Sequence, residues 1–72
     1  MDHSKLRRMA NQIATNLAAK GEAVAIEETA VHIWKFWDPR MKAAIFADDL
    51  ADLSPIARAA IEKLKADAAA AA

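Results

Sequence analysis

Strong helix breakers are almost missing from this chain. Among its 72 residues only Gly21, Pro39 and Pro55 qualify. Alanine is abundant and β-branched runs are lacking, so helix is the default between those three points. Ser4 stands where it can cap a first helix over roughly residues 5–20, and Gly21 falls where a left-handed C-terminal residue is wanted. A second helix is predicted from Glu22 to Trp37, with Glu22 favoured by the N-terminal dipole. Asp38-Pro39 then reads as an N-cap followed by proline at the first helical position, which starts a third helix. Ser54-Pro55 repeats that signal and starts a fourth, ending in an alanine-rich stretch, residues 68–72, that is expected to fray.

Apolar spacing at about 100° per residue supports the same division. Leu6, Met9, Ala10, Ile13 and Leu17 form one stripe, and Ala23, Ile26, Ala30, Ile33 and Trp37 form a second. Met41, Ala44 and Ile45 follow on the third segment, and Ala57, Ala60, Ile61 and Leu64 on the fourth. The fold class expected is all-α, a single domain over residues 1–72 built as a compact bundle of about four short amphipathic helices. Trp37 should anchor the core, while Asp38, Pro39, Ser54 and Pro55 fix the turns.

A chain of this length buries only about 60% of the surface its unfolded form exposes. Such a core rarely supplies more than about 3–5 kcal/mol, so small domains commonly add a staple. Cysteine is absent, which excludes a disulfide, and two histidines, His3 and His32, fall short of a structural zinc set. Oligomerisation or docking on a larger partner remains.

Ten bases balance ten acids, which removes the electrostatic footprint of a nucleic-acid binder. The balance is uneven along the chain: residues 22–52 hold seven acids against three bases. No apolar run reaches the length of a membrane span, and Arg7, Arg8, Asn11 and Gln12 interrupt any apolar leader. A cytoplasmic chain is the simplest expectation.

The second helix carries more apolar surface than one small core can cover. Val24 and Val31 lie on one flank of its stripe, and Ala25, Phe36 and the His32 ring on another. On the third helix Ala43, Phe46 and Leu50 point away from Met41 and Ile45. A helix apolar nearly all round is normally buried nearly all round, and a contiguous exposed patch marks an interaction surface. A bundle closed on itself and a homodimer would satisfy the same pattern.

Catalysis would have to draw on His32, Asp38 and Arg40, with no serine or cysteine nucleophile suitably placed. Asp38-Pro39-Arg40 reads better as a helix start. Asp48, Asp49 and Asp52 lack the glycine and the terminal glutamate of a calcium loop and read as a solvated turn. One glycine cannot build a phosphate loop. Arg8, Asn11, Gln12 and Thr15 share an outward face, the only raw material for a DNA-reading helix, and the zero net charge argues against that use.

Two stretches carry a resemblance, Met9-Ala10-Asn11-Gln12-Ile13-Ala14 and His32-Ile33-Trp34-Lys35-Phe36-Trp37-Asp38-Pro39-Arg40-Met41. Together with Leu53-Ser54-Pro55 before an alanine-rich helix, they resemble the delta subunit of NAD-dependent, molybdenum-containing formate dehydrogenases, over roughly residues 5–65. The Phe-Trp-Asp-Pro-Arg-Met run is the specific part. That resemblance implies a small accessory subunit, without cofactor or metal of its own, assembled with larger subunits that oxidise formate and reduce NAD. Outward amides at Asn11 and Gln12 beside Arg8 suit hydrogen bonding to a partner, and His32, Phe36, Arg40 and Phe46 complete the candidate interface. The alternative is a homodimeric helical adaptor or regulator.

Overall fold

Asp2, rather than Ser4, caps the first helix. The computed structural model describes residues 2–71, and within it α1 runs His3–Leu17. The Asp2 carboxylate accepts the N–H groups of Ser4 and Lys5 at 2.9 and 3.4 Å. A carboxylate satisfies orphan donors and also meets the positive end of the helix dipole. Ser4 is left in the first turn.

The end of α1 tightens into a 3₁₀ turn, Ala18–Lys20. Gly21 follows at φ 101°, ψ 150°, a backbone region essentially closed to other residues. This is an extended mirror-image conformation rather than the helical left-handed cap the sequence suggested. It lets one residue close one helix and open the next: the Gly21 N–H donates to Ala18 O and its carbonyl accepts from Ala25 N–H.

α2 spans Glu22–Phe36, and Trp37 leaves it in extended geometry. Asp38 stays extended because the following proline forbids helical backbone there. Its carboxylate accepts the Met41 N–H at 2.8 Å, opening α3, Pro39–Ala47. After a connection over residues 48–54, the Ser54 hydroxyl accepts the Ala57 N–H at the start of α4, Pro55–Ala71. Of the tail expected over 68–72, Ala72 lies outside the described residues; the preceding positions continue α4.

The bundle is all-α, and its core draws on every helix. Leu6, Ala10 and Ala14 come from α1, Ala30 and Ile33 from α2 with Trp37 just beyond it, and Ile45 from α3. Ala57, Ala60, Ile61 and Leu64 complete it from α4. Met9, Ile13, Ile26, Met41 and Ala44 are half-buried against this centre.

Four apolar positions depart from the ideal wheel. Ala23, placed on the α2 stripe, is exposed, whereas Ala25 and Thr29 on the neighbouring flank are fully buried. The cause is tertiary: α2 packs on α1 and the 3₁₀ turn as well as on α4, so its buried face widens toward Ala25. Leu50, expected to point outward, is 5% exposed and belongs to the core, and Phe46 is half-buried against it. Thr29 carries a cost, since its hydroxyl oxygen is buried with no hydrogen-bond partner among the described residues.

α2 and α4 run parallel. Pro55 and Ile56 lie near Ala18 and Glu22, Lys63 meets Glu27, and Asp67 and Ala68 share a groove with Val31 and Lys35. Parallel neighbours need a return crossing. α3 and residues 48–54 supply it, and the latter climb along α1.

Candidate functional site

One face of α1 holds that return segment. His3, Arg7 and Asn11 stand four residues apart, which stacks them on one side of the helix. His3 Nδ1 lies 2.8 Å from Asp48 Oδ1, and Arg7 Nε lies 3.0 Å from Asp48 Oδ2. The arginine contact is a close charge pair without the alignment of a hydrogen bond. Arg7 also reaches Asp52 at 3.4 Å. Asn11 donates to the Asp52 carbonyl at 2.9 Å and accepts the Ser54 N–H at 2.8 Å.

The clamp has a conformational task. Leu50 and Asp52 take φ of 61° and 62°, left-handed backbone that disfavours side chains. Burial of the Leu50 side chain and the contacts of Arg7 and Asn11 offset that strain. The Asp48 carboxylate turns back to accept the Leu50 N–H at 2.9 Å. Its side chain is only 5% exposed. The acidic run is therefore a solvated turn only in part: Asp49 and Asp52 are exposed, whereas Asp48 is the hub of a polar cluster. The His3 hydrogen bond above all lowers the Asp48 carboxyl from its ordinary value. Desolvation opposes this, while the Leu50 N–H and the nearby charges of Arg7 and His3 add to it.

The outward flanks of α2 show the reverse chemistry. Phe36 is 72% exposed and Trp34 52%, with Val24 and Val31 exposed on the same helix. The His32 and Phe36 rings stack at 4.8 Å between centroids, tilted by 44°. Lys42 Nζ lies 4.0 Å from the centre of the Trp34 ring and donates to the Trp34 carbonyl at 3.2 Å. Trp37, by contrast, is 5% exposed.

The residues singled out from the sequence fall into distinct groups. His32, Phe36 and Arg40 are exposed around the α2–α3 corner. Arg8 and Gln12 are exposed on α1, and Gln12 donates to Asn16 at 3.2 Å. Asn11 spends both ends of its amide on the chain's own backbone. Arg7 and His3 were missed because their partners lie 45 residues away. Trp34 was also missed. Its signal was a position on the outer flank shared with Val24 and Val31, seven and three residues apart along the helix.

Among the described residues no three histidine, aspartate or glutamate side chains gather as a metal ligand set. No described helix is long and apolar enough to cross a membrane. The fold and the surface define a small all-α chain whose polar cluster secures its own backbone and whose aromatic side chains face outward. It belongs to the NADH-dependent formate dehydrogenase delta subunit family, FdsD, whose model matches residues 5–61. No curated protein and no solved structure matches the chain.

Proposed function

We propose that this chain is a non-catalytic accessory subunit, which docks on the larger subunits of a cytoplasmic formate dehydrogenase and supports their assembly, maturation or stability. The exposed aromatic end of α2 carries the proposal. Phe36 and Trp34 leave large apolar rings in water on a domain that can ill spare them. Aromatic side chains in such positions are typical anchors of protein interfaces. Family membership supports the choice of partner, since a delta subunit implies other subunits of a formate dehydrogenase.

Phe36 and His32 form the centre of the proposed interface, with Arg40 at the start of α3 and the half-buried Phe46 toward its end. Arg8 and Gln12 offer polar contacts on α1. Asn11 contributes through the backbone segment it orders. Formate oxidation and NAD reduction are assigned to the larger subunits, since such redox chemistry is carried by cofactors.

Co-expression with the larger subunits tests the reading. The chain should co-purify in fixed stoichiometry, and its omission should lower the yield or activity of the assembled enzyme. The isolated chain should not reduce NAD when given formate. An enzyme that assembles equally well without it, or turnover by the chain alone, would overturn the proposal.

A further inference from the structure

Between α2 and α4 runs an open groove of about 450 Å³, floored by Ala30, Val31, Trp34, Leu64 and Ala68. The parallel packing of the two helices creates it, and alanines at positions 30 and 68 keep it deep. At the end nearer Gly21 the Glu27–Lys63 pair, 3.5 Å apart, closes it with compensated charge. The rest is asymmetric. Lys35 stands on the α2 rim and Asp67 on the α4 rim, while Lys42 covers the ring of Trp34.

We infer that this groove receives an amphipathic helix of a larger formate dehydrogenase subunit, lying with a carboxylate toward Lys35 and a basic side chain toward Asp67. The inference rests on the docking proposed above and adds the place and the chemistry of the contact. Residues 27–35 span about 12 Å at 1.5 Å per residue, room for two turns of a guest helix. A helix laid in a groove seats apolar side chains three and four positions apart and leaves its flanks to the rims. Complementary rim charges then set its direction and reject the reverse one. A second copy of this chain is the competing occupant that the test below separates: Glu27 and Glu28 on its α2 already pair with Lys63 and Lys20, which leaves Glu22 on that helix to meet Lys35.

Affinity for the purified larger subunits, measured by interferometry on the full chain, tests this. Val31→Asp places a charge on the groove floor and should weaken binding about tenfold. Lys35→Glu and Asp67→Lys should each weaken it about fivefold. Lys65→Glu, on the other flank of α4, should stay within about twofold and controls for net charge. Lys35 and Asp67 are exposed, so these two variants keep the test decisive if Val31→Asp melts early. Equal binding by parent, Lys35→Glu and Asp67→Lys would remove the groove and leave docking intact. Failure of the parent chain to bind would remove both. A self-dimer in light scattering that Val31→Asp dissociates would assign the groove to a second copy and overturn the inference.

Discussion

The outer face of α1 and the outer face of α2 invert the usual arrangement of a small bundle. α1 turns polar side chains outward and then covers them with the chain's own residues 48–54, as His3, Arg7 and Asn11 meet Asp48, Asp52 and Ser54. α2 turns apolar side chains outward and leaves Phe36 and Trp34 uncovered. The contrast separates two kinds of exposed residue. Polar groups on α1 hold a strained connection in place, so their value is internal. Apolar groups on α2 stay in water, and the proposed docking would give them a partner.

The sharpest test of that contrast lies within one helix end. Trp37 is buried and Phe36 beside it is not. Truncating a buried tryptophan costs about 3–5 kcal/mol, the same order as the whole stability of a core this size. Trp37→Ala should largely abolish the cooperative thermal melt followed by far-UV circular dichroism. A melt close to the parent's would show that the core closes without its largest side chain.

Phe36→Ala should move a different observable. Its side chain is mostly in water, so monomer stability should change by less than about 1 kcal/mol, while docking on the larger subunits weakens by about 2 kcal/mol. Binding unchanged alongside an unchanged melt would strip α2 of its assigned role.

On the α1 side the effect should be wholly internal. Asn11→Ala removes two hydrogen bonds to the 48–54 backbone and should cost about 1–2 kcal/mol in urea unfolding. Hydrogen exchange at the Ser54 amide should quicken at the same time. A variant that melts like the parent yet loses docking would place Asn11 in the interface instead.

The smallest effect concerns acid. The Asp48 carboxyl lies below its unfolded value of about 3.9, so the unfolded chain takes up that proton first. Its contribution to stability is complete above that value and is lost as pH falls through the lower, folded one. Asp48→Asn should therefore flatten the fall of melting temperature below about pH 4, apart from any uniform offset. A parallel acid limb in both proteins would show that Asp48 is not held in its charged form by the cluster.

Much of this organisation is local and could be read along the chain. Two prolines and one glycine mark the helix boundaries because their backbone restrictions act within a residue or two. Trp37 and the stripe of Ala57, Ala60, Ile61 and Leu64 follow from a fixed angular step along a helix. The same reasoning turned Phe36 and His32 outward. Where a cap depended on which side chain happened to reach the free N–H groups, Asp2 displaced Ser4.

Tertiary structure decided what no periodicity contains. Ala25 and Thr29 are buried because of where α1 and the 3₁₀ turn lie against α2, and Ala23 is exposed for the same reason. The left-handed turns at Leu50 and Asp52 exist because the connection to α4 must climb along α1, and Leu50 follows it into the core. Arg7 and Asp48 become partners only after that climb, across 41 positions of sequence. Side-chain direction along one helix is set by 1.5 Å steps and 100° turns, whereas the angle and order in which helices meet are set by the packing of all of them together.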